Sequence, residues 1–403
     1  MLKRDLNESY HPLFFLAALG AGGLAVSFFM YPMFLVERPQ PSMATFNHLW
    51  PILTGPVTPA SVGLALVLLA VVLLAALHFR LLAWNIREYR QFRRTPAFTQ
   101  LRCSNNEISL MAIPLTLAMS INMMFVLGAL FVPNLWSVVE YLFPLALLAF
   151  MAVGVYALKI LTTYFARTLT EGNVDFSSNN SLAPMIAIFA LAMIAVGLAA
   201  PAMMSETQAT AIIALLLSMF FFTAAILLSV IKLVHGFQAM MVKGINVAAS
   251  PSLWIIIPIL TLLGITWIRL SYGLQQGFDQ SVNYSSLLIL GAAILSAQIL
   301  FGLIGYAVMQ RLGYFRDYSR GSQGNAGTFA LICPGVAFFV FGMFFIHLGL
   351  INSGVLQAGS WAHLLVMLPF IAVQLKTLEV MWRIKRNILD APGDLKAART
   401  TGS

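Results

Sequence analysis

Residues 104–114 read "SNNEISLMAIP", and residues 177–184 read "SSNNSLAP". In both stretches a Ser-Asn-Asn cluster stands a few residues before a proline, where a long apolar run begins. Serine and asparagine side chains can satisfy the free N–H groups of a helix start, and proline is tolerated in a first turn. The recurrence of this pattern predicts that each stretch opens one unit of a helical repeat.

The composition places the chain in a membrane. Its 403 residues are 60% hydrophobic and only 9% charged, and the mean hydropathy of +0.87 exceeds what the core of a soluble protein would bury. Apolar runs of helical length recur throughout, and each can cross a hydrocarbon layer of about 30 Å with its backbone hydrogen bonds satisfied internally. The sequence therefore predicts an all-α integral membrane protein.

Ten apolar runs are bounded by Gly, Pro, Asn or charged residues. They form five predicted helical hairpins, at about 12–86, 108–166, 182–235, 252–312 and 328–384. The hairpins make one ten-span transmembrane domain over residues 1–390, followed by a short cytoplasmic tail at 391–403.

The cations lie almost entirely on one side of these predicted spans. Of the 23 Lys and Arg residues, 21 fall in the amino-terminal tail or in and near the segments that follow the even-numbered runs, and the other two are Arg38 and Arg269. The positive-inside rule then places both termini in the cytoplasm. Because the cations follow this membrane pattern, the net charge of +9 does not indicate nucleic-acid binding.

The odd and even runs differ in composition. The odd runs begin with a small polar cluster and a proline, and continue with small and aromatic residues, as in "SPSLWIIIPILTLLGITW" (residues 250–267). The even runs are richer in leucine and end in cations. Small residues allow close helix packing, and a proline within a helix frees backbone groups that need nearby partners. We therefore expect the odd helices to form an inner ring around a pore and the even helices to form an outer ring facing lipid.

Five hairpins with proline-bearing inner helices, opened by "HPLFFLAALGAGGLAVSFF" (residues 11–29), resemble the TehA and slow-type anion channel family, also known as tellurite-resistance and C4-dicarboxylate transport proteins. The resemblance implies a homotrimer with an aromatic gate in the ninth span. The family's Thr-Phe-Pro stretch corresponds to "AGTFALICPGVAFF" (residues 326–339), where matching on Thr-Phe makes Phe329 the gate. Matching on the proline puts Cys333 at that position and leaves Phe338 or Phe339 to close the path.

Neutral polar residues supply most of the polarity of the predicted inner ring. The candidates for the pore lining are Ser27, Thr116, Ser120, Asn122, Thr261 and Thr266. No Asp or Glu lies in the middle of an odd run, although proton-coupled carriers and cation pathways use such carboxylates. Hydroxyl, amide and backbone donors, with five helix amino termini facing the cytoplasm, favour small inorganic or carboxylate anions.

The sequence thus favours an anion channel or uniporter of the bacterial inner membrane that promotes efflux. The alternative is a membrane-anchor subunit of a redox enzyme, in which His347 and His363 would contact haem or quinone. No nucleotide-binding loop, metalloprotease motif or nucleophilic serine motif is present, so we expect neither an enzyme nor a resident cofactor or metal. The two cysteines lack the spacing of a disulfide or a metal site. We expect the protein as a whole to be surrounded by membrane lipid.

Overall fold

The computed structural model describes residues 2–37, 43–171, 180–278 and 283–390. Arg38, residues 177–179 of the second Ser-Asn cluster and the predicted tail at 391–403 lie outside these ranges. Within them, ten helices are long and apolar enough to span a membrane, which confirms the prediction of an all-α multi-span membrane protein. The odd-numbered spans are Pro12–Leu35, Asn105–Phe131, Ala183–Met204, Val247–Leu274 and Ala326–Ile351. The even-numbered spans are Pro59–Phe92, Val139–Glu171, Gln208–Lys243, Tyr284–Arg311 and Trp361–Ile388.

The odd spans form a closed inner ring. Span 1 contacts spans 3 and 9, span 5 contacts spans 3 and 7, and span 7 contacts span 9. Each even span packs on the odd span before it and on the next odd span around the ring. In the most apolar part of each odd span, 67–83% of the residues are buried, against 22–39% in the even spans. The predicted inner and outer rings are therefore present.

The inner spans begin in a common way. Each opens with a 3₁₀ turn, and a side chain just before the turn accepts a hydrogen bond from the backbone N–H two residues later. The five acceptors are His11, Ser104, Ser181, Asn246 and Asn325. Ser104 directly precedes the turn of span 3, whereas Ser181 is separated by Leu182 from the turn of span 5 and accepts from its first N–H. The described parts of the two Ser-Asn clusters therefore belong to a fivefold series of helix starts with side-chain acceptors.

Spans 2 and 6 of the outer ring extend well beyond the predicted apolar runs at the end where the cations lie. Span 2 continues to Phe92 and span 6 to Lys243, whereas the apolar patterns end near residues 86 and 235. Hydropathy marks where the apolar layer ends, but backbone hydrogen bonding carries the helix further into the polar region. The segment before span 2, predicted as a connection, contains a short helix at Phe46–Thr54 that packs on spans 2 and 3.

The inner and outer rings of helices pack closely where one helix has a glycine. A Cβ atom on Gly197 of span 5 would lie 2.3 Å from ring carbons of Phe150 in span 4. Glycine at position 197 therefore leaves the room that the phenyl group of Phe150 needs beside span 5. The same phenyl group lines the central space enclosed by the odd spans. Span 4 therefore contributes to the space enclosed by the odd spans.

Candidate functional site: a path along the inner ring

Three neighbouring cavities lie inside the ring of odd spans. The first, which we call the vestibule, has a volume of about 720 Å³ and is lined by the starts of the inner spans. The second, the central cavity, has a volume of about 170 Å³ and takes lining residues from all five inner spans. The third, the outer cavity, measures about 70 Å³ and lies toward the other end of the ring.

Shared lining residues show where consecutive cavities meet. The vestibule and the central cavity share Phe189, Pro258 and Cys333. The central and outer cavities share six residues, which are Phe29, Met30, Met43, Met204, Arg269 and Phe344. The three cavities therefore form one series through the ring, with aromatic side chains at both junctions.

The polar side chains of the vestibule lie at the helix starts, among apolar neighbours. These include Asn105, Asn106, Asn180, Asn246 and Asn325, so spans 3, 5, 7 and 9 each have an asparagine at their start. Amide groups can donate hydrogen bonds to an anion without a fixed charge that would trap it. The vestibule is thus a large chamber with a ring of amide groups, and it leads to a smaller and more apolar cavity.

The amino-terminal segment supplies the cation of the vestibule. Lys3 lines the chamber, its N–H donates to the Leu389 carbonyl at 2.8 Å, and its carbonyl accepts from Trp84 Nε1 at 2.7 Å. His11 also lines the vestibule, and burial lowers its pKa from 6.5 to about 4. His11 is therefore neutral at pH 7, and its Nδ1 accepts the N–H of Leu13 at 3.2 Å.

Arg269 of span 7 lines both the central and the outer cavity. Its Nη1 donates to the carbonyl of Val196 in span 5 at 2.7 Å. Val196 precedes Gly197, whose carbonyl loses its helical donor because Pro201 has no N–H. Span 5 thus presents the Val196 carbonyl as an acceptor that holds the guanidinium at the wall of the path.

No carboxylate balances Arg269 within the described part of the chain. The residues that line the three cavities include Lys3 and Arg269 but neither Asp nor Glu, and the described ion pairs do not include Arg269. A charge held in an apolar interior is costly unless something of opposite charge neutralises it. The Arg269 guanidinium therefore stands in the wall of the path with a backbone carbonyl, and no described carboxylate, as its partner.

Only two of the six predicted polar lining residues reach the central cavity, namely Asn122 and Thr261. The Asn122 amide lies 3.7 Å from Met193 Sδ, and the Thr261 hydroxyl donates to the Ala337 carbonyl at 3.0 Å. The hydroxyls of Ser27, Thr116, Ser120 and Thr266 donate instead to carbonyls of their own helices. Hydroxyl groups in apolar helices commonly bond in this way, which turns them away from the path.

The three phenylalanines predicted as gates lie outside the linings of all three cavities. Phe329 is fully buried at the start of span 9. Phe339 packs beside Tyr31, with ring centroids 5.5 Å apart. Phe338 faces the outer ring, where it stacks on Phe370 at 4.9 Å. The aromatic residues at the junctions are Phe189, Phe29 and Phe344.

Sequence reasoning did not identify Arg269 as a site residue. The count of cations put Arg269 on the opposite side of the membrane from most of the others, and Arg269 was not among the predicted lining residues. A signal was present in "GITWIRLSYG" (residues 264–273), where one arginine interrupts an apolar run before its end. An ionisable residue inside a span is by default a functional candidate.

The histidines considered for a redox cofactor lie together at the far end of span 9. The rings of His347 and His363 contact edge to face, with centroids 5.1 Å apart, and His347 stacks on Phe34 at 4.7 Å. Rings in direct contact leave no gap for a haem between them. Within the described ranges, no three His, Cys, Asp or Glu side chains group as a metal site.

Comparison with known proteins gives no match to this chain, whether with protein-family models, curated proteins or solved structures.

Proposed function

We propose that this membrane protein is an anion channel or uniporter in which small anions move along the axis of the five-helix ring. The observation that carries the proposal is Arg269, a cation in the wall of the path without a carboxylate partner in the described residues. The permeating anion would neutralise it. The closed ring of five hairpins also agrees with the resemblance to the TehA and slow-type anion channel family.

The proposed orientation puts the vestibule on the cytoplasmic side of a bacterial inner membrane. The ends of spans 2, 6, 8 and 10 lie on the same face as the vestibule and have basic residues in their last turns, as the positive-inside rule requires. An anion in the vestibule would then leave the cell down the membrane potential, which favours exit by about 2.3 kcal/mol per charge at 100 mV.

The test is anion flux into proteoliposomes, measured for chloride, nitrate and a C4-dicarboxylate. We expect flux in the wild type and a fall of at least about tenfold in Arg269→Gln, because a step that depends on one buried charge loses more than about 1.4 kcal/mol when the charge is removed. Arg269→Lys should retain part of the flux, since it keeps the charge but loses the planar fork of donors.

Arg80→Gln is the matched control. Arg80 is an exposed cation of span 2 and lines none of the three cavities, so flux should be unchanged. A wild type that passes none of these anions would refute the proposed function. If the wild type passes anions and Arg269→Gln passes them equally well, the proposed role of Arg269 is refuted but the proposed channel function is not.

A further inference from the structure

A second large cavity lies outside the inner ring, between spans 8 and 10. Its volume is about 830 Å³, within the range of about 300–1,000 Å³ typical of small-molecule sites. Trp254 of span 7 and Phe338 of span 9 line its floor, while Leu303 of span 8 and Val373 of span 10 line its sides. We call this cavity the lateral groove.

Cations lie along the vestibule-side part of the lateral groove. Arg316 and Arg320 come from the segment Phe315–Arg320 that follows span 8, and Lys376 and Arg383 come from span 10. The segment Phe315–Arg320 packs against span 10 and so bridges the two sides of the groove. An apolar groove in an outer ring thus ends in a cluster of positive charge.

The two nearby carboxylates do not neutralise this cluster. Asp317 pairs with Arg316 at 2.7 Å, and Glu379 pairs with both Lys376 and Arg383. Arg320 has no carboxylate partner among the described ion pairs. Four cations and two carboxylates leave a net charge of +2 at one end of an apolar surface.

We propose that the lateral groove binds an anionic phospholipid of the vestibule-side leaflet. The phosphate lies among Arg316, Arg320, Lys376 and Arg383, and an acyl chain lies against Trp254 and Phe338. Arginine binds phosphate oxygens through paired N–H donors, and basic pockets between membrane helices bind anionic headgroups. A zwitterionic lipid offers the same acyl chains, but its headgroup carries a cation that the cluster repels.

The groove is distinct from the anion path. Its lining shares Pro334 with the vestibule and no residue with the central cavity. A lipid in the groove would therefore lie behind span 9, against Gly335 and Phe338, while an anion passes on the other side of the same helix. The lipid site does not depend on the identity of the permeating ion.

The test measures quenching of tryptophan fluorescence in the purified protein by phosphatidylglycerol with brominated acyl chains. Quenching by the same chains on phosphatidylcholine gives the comparison. We expect saturable quenching that requires at least about tenfold less phosphatidylglycerol than phosphatidylcholine, since an additional charge-assisted phosphate contact contributes more than about 1.4 kcal/mol. Trp254→Phe should remove the saturable component, because Trp254 is the tryptophan that lines the groove.

Two double variants identify the headgroup contacts. Arg320→Gln with Lys376→Gln should remove the preference for phosphatidylglycerol, whereas Arg90→Gln with Lys243→Gln should preserve it. Arg90 and Lys243 are exposed cations at the same face, outside the groove. Equal quenching by both lipids, or a preference unchanged by the groove variant, would overturn the proposal. Competition by free glycerol phosphate at lipid concentrations would overturn it as well, because the ligand would then be a soluble phosphate.

Discussion

His78 joins three spans through one imidazole ring. Its Nδ1 lies 2.7 Å from the Ala18 carbonyl of span 1, and its Nε2 lies 2.9 Å from the Ser120 hydroxyl of span 3. A Cβ on Gly22 would come within 2.7 Å of Nδ1, so the ring fits because residue 22 is glycine. Both contacts are buried, so loss of the ring removes two buried polar contacts that link span 2 to spans 1 and 3.

We therefore expect His78→Ala to lower the free energy of unfolding by about 2–4 kcal/mol, from the lost hydrogen bonds and the cavity left behind. Denaturant titration of the detergent-solubilised protein would measure the loss. His235→Ala is the control, since His235 is exposed near the end of span 6, and it should change stability by no more than about 0.5 kcal/mol. Equal effects of the two substitutions would contradict a structural role for His78.

His11 makes stability depend on pH. Its pKa falls from 6.5 to about 4 in the folded protein because burial disfavours the charged ring. A base whose pKa falls on folding contributes stability that is complete above its unfolded pKa and is lost as the pH falls toward its folded pKa. The contribution of His11 should therefore be full above pH 6.5 and decline between pH 6.5 and 4.

His11→Asn tests this dependence, because asparagine can keep the cap to Leu13 but does not titrate. The melting temperature of the wild type should fall more steeply than that of the variant between pH 7 and 4.5, and the difference between them should be constant above pH 7. Parallel melting curves over the whole range would show that His11 is not buried as a neutral base. Carboxylates titrate in both proteins and cancel in the comparison.

Single residues show how far sequence can identify the residues that line the central cavity. The composition and the apolar spacing of the sequence identified the odd spans as the inner helices. Two of the six polar candidates on these helices, Asn122 and Thr261, line the central cavity. Period alone does not fix which face of an all-apolar helix turns inward, because such a helix has no polar stripe to orient it. Phe329 and Phe339 lie in span 9 but line none of the three cavities.

At the scale of elements, the capped 3₁₀ turns form the rim of the vestibule. Asn246 accepts from the Ala248 N–H and Asn325 from the Gly327 N–H, each at 2.9 Å. Both asparagines also line the vestibule. The same side chains therefore stabilise the starts of spans 7 and 9 and present polar groups to the vestibule.

Replacing either cap should affect both properties. Asn246→Ala and Asn325→Ala should each lower the free energy of unfolding by about 1 kcal/mol, the usual value of a cap, and should also reduce anion flux. Asn283→Ala is the control, because Asn283 caps span 8 by accepting from the Ser286 N–H at 3.1 Å but lines none of the path cavities. It should cost similar stability and leave flux unchanged. Flux lowered equally by all three would show a general loss of folded protein.

The sequence predicted the membrane-spanning helices better than it predicted which side of each helix faces the cavities. The Gly, Pro, Asn and charged residues that bound the apolar runs, together with the alternating positions of the cations, predicted ten spans. Both patterns depend on the apolar thickness of the membrane. The same patterns underestimated the lengths of spans 2 and 6, since helical hydrogen bonding in Pro59–Phe92 and Gln208–Lys243 continues beyond the apolar residues. The short helix Phe46–Thr54 was also missed, as its nine residues include Pro51.

At the scale of the whole molecule, the path narrows between the vestibule and the central cavity. Volumes fall from about 720 to about 170 Å³ across a junction formed by Phe189, Pro258 and Cys333. Phe189 belongs to span 5, and its ring is the largest side chain at this junction. The ring closure that creates this series depends on all five hairpins, so no local sequence pattern could place the narrowing at Phe189.

We expect Phe189→Ala to raise anion flux several-fold in proteoliposomes, because it removes the bulkiest side chain at the narrowing without altering Arg269. Phe329→Ala is the matched control: Phe329 is fully buried but lines no part of the path. That substitution should lower the free energy of unfolding by about 3–5 kcal/mol and leave the flux per folded molecule unchanged. An increase in Phe329→Ala alone would place the barrier at the start of span 9. No increase in either variant would mean that the ring of Phe189 does not limit permeation.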